Sequence, residues 1–195
     1  MSAETRWWWI RHAPAGSAEG LILGQDDRSI DPLDNGAVER LAPHLPKDAI
    51  WLSSTLLRTA ETAAALGQPD PAKIQAFNEQ HFGIWQGRRW ADLTDEEAVP
   101  FWSDYANKAP PGGESFGQMA DRVWEQIDIL NKTHNGRNIV AVAHAGTIRA
   151  ALGLALDLKP KSALSLIIDP LSLSRIDAFA GTEEVAWRVL GVNLK

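Results

Sequence analysis

The segment Asn138–Ala143, NIVAVA, constrains the fold of this chain more than any other stretch. It is a continuous apolar run of strand length, so both faces of the strand it predicts must be covered. Trp7–Ile10 and Ile50–Ser53 are apolar runs of the same kind. Strands buried on both faces are typical of a parallel sheet with helices on either side.

Helical patterns alternate with these strands along the chain, which predicts a three-layer α/β/α sandwich with a mostly parallel sheet. A further strand is expected at Lys73–Phe77, and alternating patterns near the C-terminus predict antiparallel strands at the sheet edge. Helices are predicted at Ala37–His44, from an N-cap at Ser54 to Gly67, at Glu96–Ala106, from a cap at Ser115, and from near Gly146. We interpret residues 1–195 as a single domain, in which the Trp-rich stretch at about 78–113 is an insertion covering the active site.

Polar side chains follow three of the predicted strands. The first ends at Arg11 and His12, the second leads to Arg58 one turn into the next helix, and the NIVAVA strand ends at His144. Ligands of such sheets bind at the carboxyl ends of the strands, so these groups are expected to meet. Guanidinium groups and free N–H groups at helix starts favour phosphate, which is the ligand that the pattern predicts.

Five motifs together resemble a known family. They are RHA at 11–13, SSTLLRTAETA at 53–63, NEQHFGIWQG at 78–87, PGGES at 111–115 and VAHAGTIR at 142–149. In this order they resemble the histidine phosphatase superfamily, which has the phosphoglycerate mutase-like fold. The Glu-x-x-Phe-Gly-x-Trp stretch at 79–85 is similar to the α-ribazole phosphatase type within that family.

The resemblance implies a role for each matching residue. His12 corresponds to the family's nucleophile, which carries the phosphoryl group as a phosphohistidine. Arg11 and Arg58 correspond to the guanidiniums that hold the phosphate, His144 to the second imidazole, and Glu79 to the general acid. The chemistry agrees, because an attacking imidazole must be neutral and nearby guanidiniums disfavour its protonation.

The chain departs from the family pattern beside both histidines. Ala13 and Ala145 stand where the family usually has glycine, which is tolerable if the backbone there is not left-handed. The polar residues that often follow the nucleophile are absent, and Gln25 or Ser17 are candidates to replace their phosphate contacts. We therefore assign Gln25 and Ala145 to phosphate binding together with the two arginines.

Composition excludes several classes of function. The net charge of -6 argues against a general nucleic-acid binder, and no apolar run approaches the roughly 20 residues of a membrane span. The chain has no cysteine, which excludes thiolate chemistry and fits a cytoplasmic location. No metal or other cofactor is expected, the expected partner is a small phosphorylated substrate, and the oligomeric state is not indicated.

The predicted function is that of a metal-independent phosphomonoesterase, with α-ribazole phosphate suggested as substrate by the resemblance alone. Two alternatives stay open: a phosphoglycerate mutase, and a pseudoenzyme that binds a phosphorylated ligand without turnover. The tryptophans at 85, 90 and 102 suit local packing or an aromatic wall for substrate. Arg149 suits either the pocket or a structural salt bridge.

Overall fold

The computed structural model describes residues 4–16, 20–181 and 185–195. Six strands form one sheet in the order β3-β2-β4-β1-β5-β6. The strands are β1 Glu4–Arg11, β2 Ile50–Ser53, β3 Ala72–Lys73, β4 Asn138–Ala143, β5 Leu173–Phe179 and β6 Ala186–Leu194. β1 to β4 are mutually parallel, whereas β5 runs antiparallel to β1 and β6 antiparallel to β5. The mostly parallel sheet with an antiparallel edge is confirmed.

Helices cover both faces of this sheet. They are α1 Asn35–Leu41, α2 Leu57–Ala65, α3 Asp95–Ser103, α4 Phe116–Thr133, α5 Ala145–Ala155 and α6 Pro160–Ala163, with a 3₁₀ turn at Ala42–His44 after α1. Successive residues of a strand point to opposite faces, so Trp7 and Trp9 pack with α4 and α5, while Ile10 packs with α1 and α2. The three-layer sandwich follows from burial on both faces.

The tryptophans of β1 fix the strand that carries the predicted nucleophile. The rings of Trp7 and Trp9 are stacked with centroids 5.0 Å apart, and Phe77 packs edge-on against both. The indole N–H of Trp7 donates to Oδ1 of Asn131 on α4 at 2.9 Å. Sheet and helix layer are thereby joined by a buried hydrogen bond as well as by packing.

Two sequence predictions were wrong. The predicted strand Lys73–Phe77 is the two-residue β3 followed by a 3₁₀ turn at Gln75–Phe77, because this turn buries Phe77 under the indoles of β1. The predicted cap Ser54 is not the N-cap of α2, which is Leu56. The hydroxyl of Ser54 instead accepts the Leu56 N–H at 3.2 Å and takes part in the site described below.

The predicted N-cap of α4 is confirmed. Ser115 and Gln118 form a capping box at the start of α4, as its predicted N-cap role requires. Thr94 and Glu97 form another at the start of α3. Within the described ranges, no helix combines the length and the apolar character needed to cross a bilayer.

Candidate active site

The sheet register brings the two predicted imidazoles together. Arg11 lies opposite Ala143 in the parallel pair β1/β4, so the next residues, His12 and His144, leave neighbouring strands side by side. The His12 N–H donates to the Ala143 carbonyl at 2.9 Å, which extends the pairing by one residue. The two rings have centroids 5.1 Å apart and meet edge to face.

The contacts of His12 define which ring nitrogen is free. Its Nδ1 lies 2.6 Å from the carbonyl oxygen of Ala13. A carbonyl only accepts, so Nδ1 carries the proton and Nε2 keeps its lone pair. Burial lowers the pKa of His12 to about 3, and repulsion from Arg58 acts in the same direction. The structure therefore holds His12 as a neutral imidazole with a nucleophilic Nε2.

His144 lies behind His12 and is fully buried. The Nε–H of Arg58 donates to its Nδ1 at 3.3 Å, so the proton of this ring is on Nε2. That N–H donates to the Ser54 hydroxyl at 2.8 Å, and Ser54 in turn contacts the hydroxyl of Thr59 at 2.9 Å. Burial is the main reason that the pKa of His144 is lowered, with further contributions from His12 and Arg58.

Arg58 is buried in spite of its charge and is held by three acceptors. Besides His144, its NH1 and NH2 groups donate to the carbonyls of Asp26 and Gly24 at 2.9 and 2.6 Å. A guanidinium has five N–H groups, so two remain for a ligand. Burial lowers the pKa of Arg58, and the Glu79 carboxylate opposes this effect.

Arg11 presents a second set of donors. Its NH1 donates to the Ile168 carbonyl at 2.6 Å, whereas its buried Nε has no acceptor among the described residues. A buried donor without a partner is costly unless a ligand or water accepts its hydrogen bond. Burial lowers the pKa of Arg11, and here too Glu79 is the main opposing charge.

The side chains of Arg11, His12 and Arg58 line a cavity of about 550 Å³, which we call the phosphate cavity, whereas His144 is not part of its lining. Its ionisable lining consists of Arg11, His12, Asp31, Arg58 and Glu79. An acceptor-rich anion placed there would meet two guanidiniums and the free Nε2. That arrangement suits bidentate recognition of phosphate oxygens and nucleophilic attack on phosphorus.

The carboxylate of Glu79 is oriented by two backbone donors. Oε1 accepts the Gln80 N–H at 3.0 Å and Oε2 accepts the N–H of Gly146, near the start of α5, at 3.2 Å. A Cβ at position 146 would lie 2.2 Å from Oε1. Glycine is therefore required at 146 for the carboxylate to approach the helix.

Arg122 of α4 holds the segment that carries Glu79. It donates to the carbonyls of Ala76, Asn78 and Glu79 at 2.6, 3.0 and 3.2 Å. Its guanidinium also pairs with Glu114 at 2.6 Å. Neither the helical pattern nor a motif singled out Arg122, since three of its acceptors are main-chain atoms distant in sequence.

The structure does not bring Gln25 into the phosphate cavity. Its side-chain Nε2 donates to the Glu79 carbonyl at 2.9 Å, and the residue lines a separate cleft beside Arg122. Ala145 begins α5 directly after His144 and is not part of the cavity lining either. Ser17, the other suggested phosphate contact, lies outside the described residues.

The backbone at Ala13 and Ala145 meets the condition set by the sequence. Neither residue has a positive φ, so alanine is compatible with both positions. Ala13 is fully buried, and its N–H donates to Oγ1 of Thr62 at 2.9 Å. Thr62 donates to the Arg58 carbonyl at 2.6 Å, which links the loop after the nucleophile to α2.

The three tryptophans at 85, 90 and 102 differ in their surroundings. Trp85 is 2% exposed and packs against Phe101, whereas Trp102 is 51% exposed. Trp90 and Trp102 line a second cavity of about 230 Å³ beside the first, which we call the aromatic chamber. Arg149 lines it as well, and its Nε donates to the Leu166 carbonyl at 2.7 Å.

Comparison with known proteins places this chain in a family. The model of the histidine phosphatase superfamily (branch 1) matches residues 7–192. A metal-independent phosphoserine phosphatase of Arabidopsis thaliana is 28% identical over 72% of this chain and 64% of its own length. An adenosylcobalamin/alpha-ribazole phosphatase of Salmonella typhimurium is 28% identical over 90% of this chain and 92% of its own.

A solved structure agrees with these relatives. A mycobacterial glucosyl-3-phosphoglycerate phosphatase superimposes with a TM-score of 0.85 at 26% identity, covering 98% of this chain and 100% of its own. The resemblance carried by the five motifs is thereby confirmed. This chain belongs to branch 1 of the histidine phosphatase superfamily.

Proposed function

We propose that this protein hydrolyses a phosphate monoester through a phosphohistidine on His12. The observation that carries the proposal is the 2.6 Å contact between Nδ1 of His12 and the Ala13 carbonyl, which requires the ring proton on Nδ1. Nε2 is left as a neutral nucleophile in a cavity that also contains Arg11 and Arg58. The same cations stabilise the charge on the phosphoryl oxygens in the transition state.

In the first step Nε2 attacks phosphorus, and the ester P–O bond breaks. The departing oxygen takes a proton from the carboxyl group of Glu79. In the second step water attacks phosphorus and the P–N bond breaks. Glu79 takes one proton of that water, so inorganic phosphate leaves and both side chains return to their starting states.

His144 acts in this scheme as a support rather than as a base. Its proton is committed to Ser54 and its other nitrogen to Arg58. The hydrogen bonds from Arg58 to His144 and from His144 to Ser54 hold the guanidinium and one wall of the site in place. Pre-organised donors of this kind cost no rearrangement when charge develops on the phosphoryl group.

The test is a screen of phosphorylated metabolites for release of inorganic phosphate, with His12→Asn as the blank. Phosphoserine, α-ribazole phosphate and glucosyl-3-phosphoglycerate belong in the screen, since they are the substrates that the relatives' names suggest. Release that depends on His12 supports hydrolysis. Isomerisation of phosphoglycerate without release would instead identify a mutase.

A second measurement separates an enzyme from a pseudoenzyme. Rapid acid-free quenching with a ³²P-labelled substrate should trap label on the wild-type chain, and His12→Asn should retain none. Binding of the phosphorylated compound without label on His12 and without release would overturn the proposal.

A further inference from the structure

The aromatic chamber adjoins the phosphate cavity. Glu79, Phe82 and Trp90 line both spaces. Glu79 therefore lies between the place where phosphate is expected and the chamber. A general acid must reach the oxygen of the leaving group, so a leaving group in contact with Glu79 would lie at the boundary of the chamber. This step rests on the function proposed above.

The walls of the chamber suit a flat ring. Phe82 and Trp90 meet edge to face with centroids 5.5 Å apart, and Trp90 and Trp102 lie 5.1 Å apart at a tilt. Tyr105 continues the wall, 5.7 Å from Trp102. A volume of about 230 Å³ corresponds to roughly eight water molecules at liquid density, which is room for one ring with a short substituent.

Arg149 is the one cationic residue among the described residues that line the chamber. Arg149 extends from α5, and its Nε is used by the Leu166 carbonyl. Among the residues that the structure describes, no carboxylate pairs with it. Glu79 is the one acidic residue of the chamber lining, and it faces two other guanidiniums. A half-buried guanidinium without its own counter-ion favours an anionic group on the ligand.

We propose that the preferred substrate is an aryl phosphate whose leaving group is a single aromatic ring bearing a carboxylate. Phosphate binds between Arg11 and Arg58, the ring packs on Trp90 and Trp102, and the carboxylate pairs with Arg149. The chamber combines aromatic residues of the 78–113 segment with Arg149 of α5.

Three esters test this without changing the reacting bond. They are 4-(carboxymethyl)phenyl phosphate, 4-ethylphenyl phosphate and 4-(2-aminoethyl)phenyl phosphate, which all release an alkylphenol and differ in charge. We expect kcat/KM for the carboxylate ester to exceed that for the neutral ester by about tenfold, the range of one charge-assisted hydrogen bond. The cationic ester should be the poorest of the three.

Arg149→Gln should reduce the ratio between the carboxylate and neutral esters to about one. Arg40→Gln is the matched control, because Arg40 is an exposed side chain on α1, and it should leave the ratio unchanged. Trp102→Ala should lower kcat/KM for all three esters relative to glycerol 3-phosphate. An undiminished ratio in Arg149→Gln, or a wild-type preference for the neutral ester, would overturn the proposal.

Failure of this inference can be told apart from failure of the proposed function. Release of phosphate from all esters without a preference removes the carboxylate-ring assignment and leaves the phosphatase intact. If no ester is hydrolysed, titration of tryptophan fluorescence with 4-hydroxyphenylacetate and 4-ethylphenol measures the preference directly. Tighter binding of the acid, lost in Arg149→Gln, supports the chamber assignment, and equal binding of both compounds refutes it.

Discussion

Replacement of His12 by asparagine should flatten the acid dependence of stability. The buried ring has a pKa of about 3 in the folded state against about 6.5 in the unfolded chain. Between these values the unfolded state binds the additional proton, so stability is complete above pH 6.5 and is lost as pH falls toward 3. At ~1.4 kcal/mol per pH unit, His12 alone lowers the free energy of unfolding by about 2 kcal/mol from pH 6.5 to pH 5.

His144 contributes in the same direction, because its pKa is also lowered by burial. Unfolding of the wild type should therefore take up about two protons over this range, and unfolding of His12→Asn about one. The number of protons taken up sets how steeply the free energy of unfolding falls with pH. Urea unfolding at pH 6.5 and pH 5, followed by tryptophan fluorescence, measures both free energies. His44→Asn, at an exposed histidine, is the control. Equal losses in the wild type and His12→Asn would refute the assignment of a buried, neutral nucleophile.

Three further substitutions probe the site. Glu79→Gln should lower kcat for an alkyl phosphate by about 10²–10⁴-fold, but much less for 4-nitrophenyl phosphate, whose departing oxygen needs no proton; equal losses would contradict the acid role. Arg58→Lys removes the planar guanidinium that donates to His144, so kcat/KM should fall at least about tenfold and the melting temperature should drop. Wild-type values for both would argue against the role of Arg58 in holding phosphate and His144. Thr62→Val leaves the buried Ala13 N–H without its acceptor and should cost about 1–3 kcal/mol in urea unfolding, while Thr62→Ser retains most of the stability; equal stability of the two variants would speak against this bond.

The sequence was sufficient to predict which side chains meet at the carboxyl edge of the sheet. Arg11 and His12 come at the end of the apolar run of β1, and His144 directly follows that of β4. Parallel strands deliver their carboxyl ends to the same edge. The positions of these side chains thus depend on local pattern plus one topological rule. Arg58 was found in the same way, since it lies one turn into the helix after β2.

The contacts that side chains make with distant loops could not be predicted in the same way. Gln25 was assigned to phosphate, but its amide donates to the Glu79 carbonyl, 54 residues away in the chain. Arg122 likewise acts on main-chain oxygens more than 40 residues away. Side chains that bind backbone atoms leave no periodicity and no motif, so only the folded chain shows them.

The register between β1 and β4 has a consequence for how this protein can change. The distance between His12 and His144 is set by the pairing of Arg11 with Ala143, inside the sheet. The chamber walls, by contrast, come largely from the 78–113 segment, outside the sheet. The proposed reacting groups and the proposed recognition surface therefore lie in separate parts of the fold. We expect substitutions at Trp102 or Tyr105 to change which leaving groups are accepted without moving His12 or His144. A library confined to these positions is the natural starting point for engineering its selectivity.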